Sequence, residues 1–226
     1  LPTPEAVAEH LLDHITAITG FDRTLLYHFL PDWHGQVLAE RLAPGVESFL
    51  GLHFPAGDIP TNARRLYTVN LQRYIADTEA TPLPVQGSLA AHTIDLSHAQ
   101  LRAVHPVHLQ YLRNMGVRSS FSVSLLDHGQ LWGMIACHHR TTKHLAFAAR
   151  LLCEELARIA SLRISGLLAL AAERRRNSLW HELEQAENQV RDSDEPQRGL
   201  VLALERLRRA FRADSVLLCD KDGIEA

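Results

Sequence analysis

The chain has 226 residues, 46% of them hydrophobic and 22% charged, with a formal net charge of -3. That length suits one domain with a sizeable core plus part of a second, and the charge balance offers no attraction to phosphate, so neither nucleic acid nor a membrane is expected as a partner. Three dispersed cysteines, Cys137, Cys153 and Cys219, make no C-x-x-C pair, which argues against a disulfide framework or a zinc knuckle and for a reducing, cytoplasmic setting.

The opening Leu1-Pro2-Thr3-Pro4-Glu5 has neither a basic nor an apolar leader region, and no window approaches the ~20 apolar residues of a spanning helix. Thr3 as N-cap and Pro4 at the first helical position start a helix whose apolar residues Val7, Leu11, Leu12, Ile15 and Ile18 recur at helical spacing until Gly20. Thr24 to Phe29 and Gly35 to Glu40 read as strands joined by the turn-rich Leu30-Pro31-Asp32-Trp33-His34. Leu50 to Pro60 is expected to be an ordered loop, Thr61 to Leu66 a short helix start, and Tyr67 to Asp77 extended. The irregular stretch from Thr78 to Leu96 has the length of a functional loop.

Ala99 to Met115 is predicted to be helical, and Ser119–Leu126 and Gln130–His138 to form a hairpin across Asp127-His128-Gly129. From about Lys143 to Val190 one long helix is expected, with Leu145, Leu152, Leu156, Ile159, Leu162 and Leu167 among its apolar positions. Helices of this length draw most of their stability from packing, which suggests a parallel dimer or an interdomain connector. A linker at Asp192 to Pro196, a helix to Phe211 and a strand from Ser215 then repeat the opening order, as though a second domain of the same kind begins. The chain starts on a helix and stops in the turn Asp220-Lys221-Asp222-Gly223, so flanking segments are expected on both sides. The fold class is α+β, a central antiparallel sheet flanked by helices.

Four segments carry the chemistry. Phe54-Pro55-Ala56-Gly57-Asp58-Ile59-Pro60 fixes the backbone around one carboxylate, and Leu101-Arg102-Ala103-Val104-His105-Pro106-Val107-His108 is followed by Leu109 to Val117. Ser120 and Ser122 share one face of a strand, and Trp132 to His139 ends in Cys137-His138-His139. Adjacent strand residues point to opposite faces, so Cys137 and His138 cannot easily converge on one metal, and no metal site and no catalytic residue is expected.

In order, these segments resemble the GAF domain of bacterial phytochromes over about Phe21 to Leu170, while Arg191 to Ala226 resembles the start of the PHY domain. The implied organisation is a GAF core at 1–142, a connecting helix at 143–190 and a truncated PHY domain at 191–226. The resemblance implies a red/far-red photoreceptor that is not itself an enzyme and binds a linear tetrapyrrole, biliverdin. Isomerisation between rings C and D would signal to a histidine kinase and its response regulator, with a PAS domain upstream, and the long helix would make a homodimer.

Matching residues imply that the backbone carbonyl of Asp58 and the imidazole of His108 receive the pyrrole N–H groups, and that His138 binds the D-ring carbonyl. Arg73 and Arg102 pair with the propionates, assisted by Ser120 and Ser122, and Tyr27, Phe54, Tyr67 and Tyr111, with Ile59, wall the pocket. Gly57 replaces the usual serine before the aspartate, and Val107 stands where many relatives have an attaching cysteine. The guanidinium fork suits carboxylates, and buried N–H groups need acceptors, whatever the family. A GAF domain binding a cyclic-nucleotide-like regulator is the alternative; a metalloenzyme and a plain dimerisation module are weaker ones.

Overall fold

The computed structural model describes residues 3–87, 93–220 and 223–225. Helix α1 (Pro4–Thr19) starts where Thr3 Oγ1 accepts from the Ala6 N–H at 3.1 Å. It ends at Gly20, whose φ of 56° lets its N–H turn back to the Thr16 carbonyl. Its stripe Val7, Ala8, Leu11, Leu12 and Ile15 is buried.

Six strands form one antiparallel sheet: β1 (Arg23–Phe29), β2 (Gly35–Leu42), β3 (His53–Phe54), β4 (Gln72–Ile75), β5 (Ser119–Asp127) and β6 (Gln130–His139), in the order β3-β2-β1-β6-β5-β4. The β5–β6 hairpin turns through His128 and Gly129, with φ of 45° and 79°. Two left-handed residues match the right-handed twist of the flanking strands.

Strand alternation gives the sheet two different faces. One carries Leu26, Phe121, Val123, Ile135 and Cys137, all fully buried. Against β1 and β2 lies α1. The first part of helix α4 (Phe147–Arg191) is tied to the sheet, since Gln72 Nε2 donates to Glu154 at 2.6 Å and the Leu126 N–H donates to Ser161 Oγ at 3.0 Å. The other face carries Leu25, Tyr27, Val37, Met134 and Ala136, and gathers Phe49, Phe54, Ile59 and Tyr67. Helix α2 (Thr61–Val69) lies against β5 and β6.

The structure departs from the sequence expectations in three places. Helix α3 covers only Pro106–Asn114, because Pro106 has no N–H to continue a helix and holds His105 extended, at φ -59° and ψ 133°. His105 instead caps the helix, its Nδ1 accepting from the Val107 N–H at 3.2 Å. Tyr67 lies in α2 rather than in a strand, where its ring supports the Arg73 guanidinium at 3.8 Å; tertiary packing overrides its strand preference. Helix α4 begins at Phe147, not Lys143, because the preceding backbone is pinned to the sheet. The Lys143 N–H donates to Ser119 Oγ at 2.7 Å and the Leu145 N–H to the Tyr74 hydroxyl at 2.8 Å.

The face that α4 buries is not the stripe of large apolar residues expected to meet a second chain. Cys153, Ala157, Ala160 and Ile164 face the core, whereas Leu152, Ile159 and Leu162 are 49%, 64% and 77% exposed. Small residues let the helix approach the sheet closely, so the large apolar side chains mark the outer face.

The chain divides into two compact units, 1–167 and 168–226. The second contains the rest of α4, helix α5 (Pro196–Phe211) and the hairpin of β7 (Leu218–Asp220) with β8 (Gly223–Glu225). Within it α5 crosses the end of α4 at Gly199, where a Cβ would stand 3.0 Å from the Gln189 carbonyl oxygen. The expected turn residues Lys221 and Asp222, and residues 88–92 of the long loop, lie outside the described residues. Among the described residues no helix is long and apolar enough to cross a membrane.

Candidate functional site

The sheet face turned away from α1 borders an open cleft whose empty space, mouth included, is about 690 Å³. Its floor is a checkerboard from three strands. Ser120 pairs with His138, Ser122 with Ala136 and Tyr27 with Met134, all directed to the same side. Helix α3 contributes His108, Tyr111 and Leu112, and its C-cap Met115, spaced as one helical stripe. The imidazole of His108 lies nearly parallel to the Tyr111 ring, 11° between planes.

Asp58 lines the mouth from the short 3₁₀ turn Ala56–Asp58, and its Oδ2 accepts from the Tyr111 hydroxyl at 3.2 Å. The turn, which Gly57 leaves without a serine hydroxyl, is braced from α2. Arg64 Nη1 donates to the Ala56 carbonyl at 3.0 Å and the Ile59 carbonyl at 2.6 Å. The Tyr27 ring lies directly over Gly35, where a Cβ would come within 1.8 Å of the ring, so only glycine admits this wall of the cleft.

Burial sets the protonation states. It draws His138 down to about 3, with help from Arg23 and His108, and lowers His108, with help from Arg73. Burial and then the Asp58 carboxylate push Tyr27 and Tyr111 up to about 12. At neutral pH the cleft therefore presents neutral imidazoles and intact phenols. Arg73, drawn down to about 10 by burial, keeps its charge.

The sequence-predicted residues Tyr27, Phe54, Asp58, Ile59, Tyr67, His108, Tyr111, Ser120, Ser122 and His138 all line this cleft. Arg73 stands behind it: Nε donates to Ser122 Oγ at 3.0 Å and Nη1 to Ser124 Oγ at 2.7 Å, while Nη2 is buried without a partner. Arg102 braces the preceding loop, Nη1 donating to the Ser97 carbonyl at 3.0 Å and the Ala99 carbonyl at 3.2 Å. It is close enough to Arg73 for its charge to disfavour the Arg73 cation. Cys137 points to the opposite face from His138, is fully buried, and has its thiol pushed up by burial.

Sequence reasoning missed Leu25, Val37, Phe49, Leu112, Met115, Met134 and Ala136. Strand alternation from Tyr27 and His138, and helical spacing from His108, would have found all but Val37 and Phe49. Phe49 arrives on a loop held by the Glu40 carboxylate, which accepts from the Phe49 N–H at 2.9 Å. No local pattern announces that contact.

Several polar atoms of the site have no protein partner. Among the described residues no hydrogen bond reaches the ring nitrogens of His108 or His138, and Arg73 Nη2 is sealed but unpaired. An unpaired imidazole nitrogen on the cleft wall can accept an N–H from a bound molecule or donate to its carbonyl.

The GAF domain family model matches residues 3–164. The chain is 41% identical over 163 residues to a bacteriophytochrome of Xanthomonas campestris, covering 71% of this chain and 26% of that protein. It is 40% identical over 166 residues to cyanobacterial phytochrome B of Nostoc sp., covering 72% of this chain and 22% of that one. The chain thus spans about a quarter of the length of these curated relatives. Among solved structures, the wild-type photosensory core module of a Stigmatella aurantiaca phytochrome matches with a TM-score of 0.85 at 31% identity, over 99% of this chain and 45% of that one. The wild-type chromophore-binding domain from the same organism matches with a TM-score of 0.63 at 41% identity, over 68% of this chain and 51% of that one.

Proposed function

This chain belongs to the GAF domain family, as a GAF domain of the bacteriophytochrome kind, and we propose that its cleft holds a linear tetrapyrrole, biliverdin, for sensing red and far-red light. The observation that carries this reading is one aromatic cleft lined by Tyr27, Phe54, Tyr67 and Tyr111 together with the imidazoles of His108 and His138, with the Arg73 guanidinium buried behind it. When bound, a bilin supplies absorption of red light and a double bond between rings C and D that isomerises.

The residues present fit that group. In this reading Arg73, held behind the cleft by Ser122 and Ser124, is one carboxylate partner and Arg102 the second, assisted by Ser120 and Ser122. His108, neutral at physiological pH, can accept a pyrrole N–H, as can the backbone carbonyl of Asp58. Tyr27, Phe54, Tyr67, Tyr111 and Ile59 supply an aromatic and apolar wall for the ring that turns. His138 supplies the polar handle on that ring.

The long helix carries the altered balance of contacts outward, a population shift rather than catalysis. In this reading the protein is a cytoplasmic homodimer joined through α4, with a PAS domain before the chain and the rest of a PHY domain, a histidine kinase and its response regulator beyond it. Mixing the purified protein with biliverdin is expected to produce a strong red absorbance band. A spectrum equal to that of free biliverdin refutes the proposal, and a cyclic nucleotide that raises the melting temperature where biliverdin does not favours the regulatory-ligand alternative.

A further inference from the structure

Arg23 is 5% exposed at the start of β1 and pairs directly with His138 across the β1–β6 ladder. Directly paired residues of an antiparallel ladder project to the same face, so the guanidinium and the imidazole are neighbours on the cleft side of the sheet. The guanidinium is clamped there. It lies 3.6 Å from the centre of the Phe49 ring, which lines the cleft, and Nη2 donates to the Glu47 carbonyl at 2.7 Å. Its Nε is buried without a partner, and burial lowers the guanidinium below the usual arginine range, partly offset by Glu40 and Glu47, which favour the charged form.

His138 has two nitrogens in unequal places. Nδ1 is sealed from solvent with no hydrogen-bond partner, so Nε2 is the nitrogen left to meet the cleft that this residue lines. A neutral imidazole carries one N–H and one lone pair. A sealed N–H without an acceptor is costly, whereas a sealed lone pair is favoured by a neighbouring cation.

We propose that Arg23 is a positioning residue that fixes His138 in its Nε2–H tautomer, so that the cleft offers an N–H donor specific for a ligand carbonyl oxygen. The charged and titratable groups acting on His138 are Arg23 and His108, and both disfavour the imidazolium. Arg23 thereby sets which atom a bound ring must present. The proposal rests on the bilin reading only for the identity of that carbonyl; the tautomer belongs to the protein alone.

Long-range proton–nitrogen NMR of histidine-labelled protein without bilin tests it, with the His138 signals identified by their loss in His138→Gln. The expected result is an unprotonated Nδ1 and a protonated Nε2, retained in Arg23→Lys, which keeps the charge. In Arg23→Gln the minor Nδ1–H form should rise roughly tenfold, the equivalent of ~1.4 kcal/mol of lost bias between the tautomers. If Arg23→Gln does not fold, Phe49→Leu, which loosens the clamp, is expected to raise the same minor form. A protonated Nδ1 in the unaltered protein, or a folded Arg23→Gln with the unaltered pattern, overturns the proposal, as does an unchanged pattern in Phe49→Leu when it is the variant measured. A failed biliverdin spectrum beside the expected tautomer refutes the bilin reading alone.

Discussion

Replacing His138 with glutamine removes a group whose protonation the folded cleft opposes. Its folded value of about 3 lies far below the ordinary 6.5, through burial first and then the charges of Arg23 and His108. Below about 6.5 the unfolded chain binds a proton that the folded chain refuses, so stability falls as the pH falls from 6.5 toward 3. Between pH 7 and pH 5 the loss amounts to about 2 kcal/mol, less to the extent that water reaches the ring. Gln has nothing to titrate and escapes it.

Urea unfolding of the bilin-free protein and of His138→Gln at both pH values measures the difference directly. His28, His108 and His139, also lowered by burial, are present in both proteins and cancel to first order. The expected outcome is that the unaltered protein loses about 2 kcal/mol more than the variant on going from pH 7 to pH 5. Parallel losses in the two proteins would refute the buried, neutral His138.

Gly35→Ala places a Cβ within 1.8 Å of the Tyr27 ring and is expected to cost about 1–3 kcal/mol by overpacking; an unchanged melting temperature contradicts that packing. Arg102→Ala should weaken biliverdin binding more than Arg102→Lys, since lysine keeps the charge but loses the fork that also braces the loop carbonyls. Equal affinities remove Arg102 from the site. Val107, 69% exposed beside His108, should on replacement by Cys capture a bilin with a reactive ring-A side chain, while the unaltered chain gives no pigment at its band in a denaturing gel. Bilin that binds yet stays free of the new thiol shows the ring-A orientation to be mistaken. The exposed stripe of Leu152 and Ile159, with half-buried Leu156 beside it, should join two chains. Sedimentation is expected to show a dimer that Ile159→Glu dissociates, and a monomeric unaltered protein contradicts the dimer.

Local chemistry made much of the fold legible. Thr3 and Gly20 bounded the first helix because capping is decided within one turn, and His128-Gly129 announced its hairpin because few residues accept positive φ. Alternation alone puts Cys137 and His138 on opposite faces, since the pleat leaves no other arrangement. The residues lining the cleft were legible through the resemblance rather than through periodicity, which by itself distinguishes no pocket from a core.

Only the tertiary structure decided which stripe of α4 is buried. Leu152, Ile159 and Leu162 lie outside, and Cys153, Ala157 and Ala160 lie inside, because the space between helix and sheet, not hydrophobicity alone, selects the residue. The same holds for Arg23 and Phe49. Nothing near either residue in sequence specifies their stacking 3.6 Å apart beside the cleft, since it arises when Glu40 draws the Phe49 loop onto the end of β1. Sequence alone fixed which groups the chain could offer a ligand; long-range contacts decided which of their atoms are left unpaired to receive one.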